Sequence, residues 1–204
     1  MLTQCLRVPH ISTGDMLRDR IRQNHADSAL VARMQSGALV RDEVVNAMVE
    51  ERLSQADAAE GFVLDGYPRT TPQAEQLSRW LDSRGVHEVV IYLAVDYNVV
   101  IARLTGRRQC PRCGTLYNLA TKRPRVDETC DLDGEKLVIR QDDNEAVIRE
   151  RLDAYERQTQ PVLEYFRSAG RQVVEVNASY DSPEKVFKKI CVAMECHDCP
   201  KDRR

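Results

Sequence analysis

The chain has 204 residues, of which 42% are hydrophobic and 30% are charged, and its formal net charge is -2. This length fits one main domain with room for a small inserted subdomain, and it is too short for two full domains. The nearly balanced charge provides no broad basic face, so we expect no nucleic-acid partner. The longest apolar run, residues 89–95, cannot span a bilayer, and residues 1–15 lack the apolar core of a secretory signal. We therefore expect a cytoplasmic protein without a membrane partner.

Strand and helix patterns alternate along the chain, which is typical of a parallel α/β sheet with right-handed crossovers. The predicted strands are short apolar runs, and the predicted helices have apolar residues three or four positions apart. Between residues 108 and 143 this periodicity fails and turn residues accumulate, so we interpret that stretch as an inserted subdomain. The predicted elements are, in chain order, a strand at 8–12, helices at 13–18 and at 27–55 with a break at Gly37, a strand at 61–64, a helix at 72–83, a strand at 89–95, a helix at 98–107, a long helix at 144–168 containing Pro161, a strand at 172–176 and a helix at 183–194.

The inserted stretch contains two closely spaced pairs of metal-ligand residues. Two residues separate Cys110 from Cys113 and Cys130 from Asp133, and sixteen residues lie between the pairs. Three thiolates and a carboxylate with this spacing can converge on one tetrahedral ion, and zinc suits a closed, thiolate-rich site. We therefore predict a structural zinc site, the alternative being free cysteines on a surface hairpin. The terminal segment Cys196-His-Asp-Cys199 has no second pair, and we interpret its cysteines as incidental.

Six arginines lie at positions where they could meet a phosphorylated ligand. Phosphoryl transfer needs charge stabilisation more than covalent chemistry, and planar, permanently cationic guanidinium groups provide it. Asp65 ends an apolar strand and is suited to position magnesium through water, although it could simply cap the following turn. Taken singly, each arginine would be a solvated surface charge, so the prediction depends on their meeting at the carboxyl edge of the sheet. The six are Arg18, Arg69, Arg103, Arg107, Arg140 and Arg151.

Several ungapped motifs between Val8 and Val176 resemble the adenylate kinases of the bacterial long-lid type. Residues 12–18 (STGDMLR) and 61–73 (GFVLDGYPRTTPQ) are similar to the two AMP-site motifs of that family. Residues 106–108 resemble the hinge into its lid and residues 140–143 the exit, and the lid cysteines match its zinc-bearing branch. The resemblance implies a P-loop-type parallel sheet with flanking helices. It also implies a core at 1–106 and 144–204 with AMP-binding helices at 19–55, and a zinc-binding lid at 107–143.

The resemblance further implies reversible phosphoryl transfer from Mg-ATP to AMP, giving two ADP, in a monomer with structural zinc. Gln73 would then read the adenine edge, and Arg140 and Arg151 would bind phosphates shared between the two nucleotide sites. The implied catalytic residues are Asp65, Arg69, Arg107, Arg140 and Arg151. The implied AMP-binding residues are Thr13, Arg18, Ala38, Leu39, Val40, Gly66, Tyr67, Pro68, Arg69, Gln73, Arg140 and Arg151. The implied ATP-binding residues are Arg103, Arg107, Leu116, Tyr117 and Tyr180.

One part of the family pattern, the phosphate-binding loop after the first strand, is missing. This chain begins at Met1-Leu-Thr-Gln-Cys5 and contains no Gly-x-x-x-x-Gly-Lys-Ser/Thr motif, so backbone amides and a lysine for the donor phosphates are absent. The first strand is central to the family's sheet, and we expect two neighbouring strands to lack a ladder partner. In order of preference, the explanations are a chain begun at an internal methionine of a complete kinase, a degenerate relative, and complementation by another chain.

Two rival functions remain open at this point. The chain could phosphorylate another monophosphate such as UMP or CMP, although Thr13 and Gln73 argue against this. It could instead be a non-catalytic relative that binds AMP and zinc without a functional ATP site, which the missing loop favours.

Overall fold

The computed structural model describes residues 1–23, 25 and 28–194, and its parallel strand pairs with flanking helices confirm the predicted α/β class. The terminal segment with Cys196 and Cys199 lies outside these residues. The helices are α1 (Leu2–Leu6), α2 (Thr13–Arg22), α3 (Ser28–Ser36), α4 (Asp42–Leu53), α5 (Thr71–Asp82), α6 (Tyr97–Thr105), α7 (Glu145–Ala154), α8 (Gln160–Ser168) and α9 (Pro183–Ala193), with 3-10 turns at Ala56–Ala58 and Gln141–Asp143. The strands are β1 (His10–Ser12), β2 (Val63–Asp65), β3 (Val89–Ala94), β4 (Arg107–Gln109), β5 (Leu116–Asn118) and β6 (Gln172–Asn177).

The strands form three separate pairs rather than one continuous sheet. β1 pairs with β2 and β3 pairs with β6, both in parallel, whereas β4 and β5 are antiparallel. Within the described residues each of the six strands has one partner strand, and the expectation that two neighbouring strands lack a ladder partner stays a prediction. On β3, Val89 is 36% exposed and Leu93 is 45% exposed, although such a run was predicted to be covered on both faces.

The predicted long helix at 144–168 is confirmed in its extent, but it contains a π-helical turn that the sequence did not predict. α7 passes into a π-helical turn at Tyr155–Thr159 before α8 begins. Pro161 explains the change, because it has no N–H for the carbonyl four residues earlier and its ring crowds that carbonyl. The backbone accommodates the proline by widening one turn, so the helical path continues instead of breaking.

The main core lies where α2, α3, α4 and α5 pack around the first strand pair. Ile11 of β1, Val49 of α4 and Leu81 of α5 are each 1% exposed and belong to this cluster. A second cluster joins Phe166 of α8 to Ala74 of α5. Side chains of this size contribute about 1.5–3 kcal/mol each when fully buried. This packing fixes the carboxyl ends of β1 and β2, where the polar residues of the candidate site begin.

The inserted stretch has its own small core. β4 and β5 form a hairpin, and Gln109 of β4 also bridges to Val138 on the returning segment. One buried hydrophobic cluster of this unit is made up of Cys110, Tyr117, Cys130 and Leu137. Across the described part of the chain, no helix is long and apolar enough to cross a membrane.

Candidate functional site

An open cleft lies at the carboxyl ends of β1 and β2. Ligands of open α/β folds bind at this edge of the sheet, so its lining identifies candidate binding residues. Tyr67, Pro68 and Arg140 do not line it, although they also belong to the predicted AMP set. The predicted residues that do line it are Thr13, Arg18, Ala38, Leu39, Val40, Gly66, Arg69, Gln73 and Arg151.

Gly66 allows two functional side chains to approach the wall of this cleft. The Thr13 hydroxyl donates to the Gly66 carbonyl at 3.0 Å, and Arg69 Nε donates to the same oxygen at 2.9 Å. A Cβ at Gly66 would lie 3.1 Å from Arg69 Nη2 and from Thr13 Oγ1, and its φ of 76° also favours glycine. The local geometry therefore holds the guanidinium of Arg69 against the end of β2.

Five of the six predicted arginines influence one another electrostatically. Burial lowers the pKa of the Arg69 guanidinium, and the charges of Arg151 and Arg18 lower it further. Burial also lowers the pKa of Arg151, and Arg107 and Arg18 add to the decrease. The pKa of Arg140 is lowered in the same way by burial and then by Arg18 and Arg107. Guanidinium groups are cationic at neutral pH, so these arginines create a positive potential. An anionic ligand would offset the repulsion between them.

Two aspartates at the exit of the inserted stretch hold part of this arginine group. Asp143 has a fully buried side chain, accepts from Arg107 Nε at 2.7 Å and lies 3.6 Å from Arg151 Nη1. Asp142 lies 3.4 Å from the same Arg151 nitrogen. The sequence motif at 140–143 contained both aspartates, but nothing in its spacing revealed their partners. Together they join the inserted hairpin to α7.

Arg140 faces a second, wider crevice between the helices α2 and α3 and the inserted hairpin. Arg18 lines both this crevice and the cleft at the strand ends, so the two spaces share one guanidinium. Arg140 Nε donates to Gln109 Oε1 of β4 at 2.7 Å. Arg140 thus lies on the hairpin side of the arginine group rather than inside the first cleft.

The residues predicted to meet ATP are spread more widely. Arg103 lies apart from the arginine group, and its Nη2 donates to the carbonyls of Ala178 and Ser179, each at 2.9 Å. Tyr180, next along the chain, is 84% exposed. Tyr117 is 3% exposed and belongs to the core of the hairpin, whereas its neighbour Leu116 is 40% exposed. The Tyr117 ring is therefore used in packing, and the role of these residues toward ATP stays a prediction.

Asp65 ends β2 with an exposed carboxylate. His10 Nε2 lies 3.1 Å from Asp65 Oδ2, a contact that sequence reasoning missed because 55 positions separate the two residues. Parallel pairing of β1 with β2 brings them together. An exposed carboxylate oxygen at this edge is chemically suited to Mg²⁺, which prefers oxygen ligands and keeps several of its waters.

The predicted metal residues converge in the hairpin. The ligand atoms of Cys110, Cys113, Cys130 and Asp133 all lie within 4.8 Å of one another. Cys110 Sγ is 3.3 Å from Asp133 Oδ2, and the sulfurs of Cys113 and Cys130 are 3.6 Å apart. Ligands about 2.0–2.3 Å from one tetrahedral ion are roughly 3.3–3.8 Å from each other, so these separations fit a shared ion. This cluster could hold a metal ion.

The electrostatics of the cluster differ from one ligand to another. Burial raises the pKa of the Cys110 thiol to about 11. Hydrogen bonds, first that from Cys130 and next that from the Glu135 N–H, lower the pKa of the Asp133 carboxyl to about 2. The Tyr117 hydroxyl accepts from the Asp131 N–H at 2.8 Å, and its oxygen lies 3.6 Å from the Cys130 sulfur. A metal cation would compensate the cost of deprotonating the buried thiols.

An arginine-lined cleft at the ends of parallel strands is typical of α/β proteins that bind phosphorylated ligands. The sequence profile of the family described as adenylate kinase matches residues 1–171. The adenylate kinase of Thermoanaerobacter sp. (strain X514) is 43% identical over 190 residues, which cover 92% of this chain and 86% of the relative. That of Pseudothermotoga lettingae is 46% identical over 180 residues, covering 85% and 81%. That of Moorella thermoacetica is 44% identical over 171 residues, covering 83% and 79%.

These similarities extend across most of each relative. The chain belongs to the adenylate kinase family, a family of phosphotransferases, and the family expectation from its motifs is confirmed.

Proposed function

We propose that this chain catalyses reversible transfer of the γ-phosphoryl group of Mg-ATP to AMP, giving two molecules of ADP. The observation that supports this most strongly is the mutual approach of five arginines beside a cleft at the strand ends. Phosphoryl transfer spreads negative charge over the transferred group, and fixed guanidinium groups stabilise that charge without covalent participation. Membership of the adenylate kinase family supports the same reaction.

On the AMP side, the cleft would hold the nucleotide between its arginines and Gln73. Arg18 and Arg69 would bind the AMP phosphate, and Gln73 would read the adenine edge. The main chain of residues 38–40, which line the same cleft, would cover the base and ribose. Tyr67 would act indirectly, because it is buried and its hydroxyl donates to Asn46 Oδ1 at 2.7 Å.

On the ATP side, Arg107, Arg140 and Arg151 would bind the phosphates shared between the nucleotides. Leu116 and the main chain of Tyr117 would meet ATP from the hairpin, and the main chain at Tyr180 would meet its adenine. Arg103 would contribute at the carboxyl end of β6, where it already holds two carbonyl groups. Mg²⁺ positioned through water by Asp65 would neutralise charge on the transferred phosphate.

The inserted stretch 107–143 would act as a lid on a core formed by 1–106 and 144–204. Structural zinc held by the three cysteines and Asp133 would stabilise the lid and take no part in the chemistry, because four protein ligands leave no open position. Closure of this lid over the arginines would exclude water and prevent hydrolysis of ATP. A reducing, cytoplasmic location is part of the proposal because it keeps metal-binding thiols available, and a monomeric state stays a prediction.

A coupled assay tests the proposed reaction directly. The full chain is incubated with Mg-ATP and AMP, UMP or CMP in turn, and we expect ADP to form fastest with AMP. Arg69→Ala should abolish turnover, whereas Arg157→Ala, which removes an exposed arginine paired only with Asp153 at 3.5 Å, should retain it. Faster turnover of UMP or CMP would overturn the assignment to AMP.

A non-catalytic AMP- and zinc-binding protein is the second candidate. It is favoured by one observation, the absence of a Gly-x-x-x-x-Gly-Lys-Ser/Thr motif from the sequence. Calorimetry separates the two candidates, because AMP binding with ADP production supports the kinase and AMP binding without it supports the binding protein. A chain that binds neither AMP nor metal would contradict both.

A further inference from the structure

The side-chain amide of Gln73 is held at both of its ends. Gln73 Nε2 donates to Asp42 Oδ1 at 2.7 Å, and Gln73 Oε1 accepts from the Arg69 N–H at 2.8 Å. Gln73 is 2% exposed and lines the cleft at the strand ends. Asp42 is held in turn, because its Oδ2 accepts from the Thr70 hydroxyl at 2.8 Å. These contacts connect α4 to the start of α5 across 31 positions of sequence.

This arrangement fixes which end of the amide carries the oxygen. A rotation of the amide by half a turn would bring Gln73 Oε1 against the Asp42 carboxylate and Gln73 Nε2 against the Arg69 N–H. Acceptor would then face acceptor and donor would face donor, with both pairs partly buried. A carboxylate can only accept, so Asp42 cannot adapt to the rotated amide in the way that a neutral side chain could. The cost of leaving charged or buried polar groups unpaired makes the rotated state unfavourable.

The fixed amide still has one N–H and one oxygen lone pair that these two contacts do not use. Because Gln73 lines the cleft, these two groups would be a donor and an acceptor for the edge of a base bound there. A 6-aminopurine presents the matching pattern, since its ring nitrogen N1 accepts and its amino group donates. A 6-oxopurine presents the reverse pattern, with N1–H as donor and O6 as acceptor, and it would require the rotated amide.

We propose that Asp42 is a positioning residue that sets the base preference of this cleft. By holding the Gln73 amide in one orientation, it favours adenine and rejects 6-oxopurines such as hypoxanthine. This inference rests on the proposed function, in which Gln73 meets the base of AMP. Preference here comes from an unfavourable pairing imposed on the wrong base as well as from favourable pairing with the right one.

Binding of AMP and of inosine monophosphate to the full chain tests the inference by calorimetry. The variant is Asp42→Asn, whose amide can turn together with Gln73 so that either orientation is paired at this end. We expect the ratio of the two dissociation constants, inosine monophosphate over AMP, to fall about tenfold, because one of two contacts that oppose rotation is lost. The Arg69 N–H remains, so some preference should persist.

Glu50→Gln is the matched control. Glu50 also lies on α4, and its Oε1 accepts from the side-chain amide of Gln76 at 2.6 Å, but neither residue lines the cleft. The same change from carboxylate to amide at Glu50 should leave the ratio unchanged, even if it lowers stability. Thermal unfolding of both variants measures their stability separately from the ratio of dissociation constants. If Asp42 had only a structural role, Asp42→Asn would lower stability without changing that ratio.

The outcomes separate this inference from the proposed function. AMP binding with the same ratio in the wild-type chain and in Asp42→Asn would overturn the role of Asp42 and leave the proposed function intact. Absence of AMP binding to the wild-type chain would overturn both. The wild-type chain also gives a test that needs no variant, because binding of inosine monophosphate as tight as that of AMP would refute a fixed amide.

Discussion

Asp143→Asn tests whether the arginine group depends on a buried carboxylate. Asp143 has no exposed side-chain surface, and it pairs with Arg107 and Arg151, whose side chains are 19% and 27% exposed. Removing one partner of a buried ion pair costs about 3–5 kcal/mol, because the remaining charge is buried without compensation. Asparagine keeps one acceptor and both arginines keep some contact with water, so we expect a loss of about 2–3 kcal/mol. For a chain of this length, that lowers the midpoint of thermal unfolding by about 4–12 °C.

Differential scanning calorimetry at neutral pH measures this change, and Asp153→Asn is the matched control. Asp153 lies on α7, the helix that carries Arg151, and pairs with Arg157 at 3.5 Å, but its side chain is 54% exposed. An exposed pair of this kind is worth about 0.2–1 kcal/mol, so the control should shift the midpoint by at most about 4 °C. Equal shifts in the two variants would show that burial of Asp143 does not have the energetic role assigned to it.

The remaining predictions concern the cleft, the lid and one turn. Arg69→Lys keeps the charge but loses the planar fork, and calorimetry should show AMP affinity lower by about tenfold; unchanged affinity would contradict bidentate binding. Cys130→Ser should weaken metal binding by the inserted hairpin and lower the thermal midpoint, whereas Leu132→Ser, at a residue 73% exposed, should do neither. A metal content equal to wild type would show that the proposed site is misassigned. Gly37→Ala and Gly85→Ala share the cost of a positive φ, about 1 kcal/mol. A Cβ at Gly37 would also lie 2.8 Å from a carbonyl of α7, so denaturant midpoints should show about 1–3 kcal/mol more destabilisation there than at Gly85, which has open space.

Sequence reasoning succeeded where the information was local. The starts of α2 and α5 follow from hydroxyl caps, since Ser12 accepts from the Asp15 N–H and Thr70 from the Gln73 N–H. The approach of the metal ligands followed from their pairwise spacing. The proximity of five arginines followed from the rule that ligands meet the carboxyl ends of parallel strands.

The features that the sequence did not reveal depend on contacts between distant residues. The partner of Gln73 is Asp42, and the partners of Asp143 lie 36 residues upstream and 8 residues downstream, with no periodicity to indicate any of them. The burial of Tyr117 was also not predicted, because the sequence does not distinguish an aromatic residue that contacts a ligand from one that fills a small core. The division of the strands into separate pairs depends on the whole fold, so it cannot be predicted from the sequence of any one strand.

The small core of the inserted hairpin has a consequence for how this chain could vary. Two of the four residues in its hydrophobic cluster, Cys110 and Cys130, are also metal-ligand candidates, so only Tyr117 and Leu137 of that cluster are free of this second role. Its rigidity would then be adjustable through ligand identity and metal supply, independently of the packing beneath β1 and β2. A hairpin held together by other internal contacts could replace this one while the guanidinium groups of the arginine group stay in place.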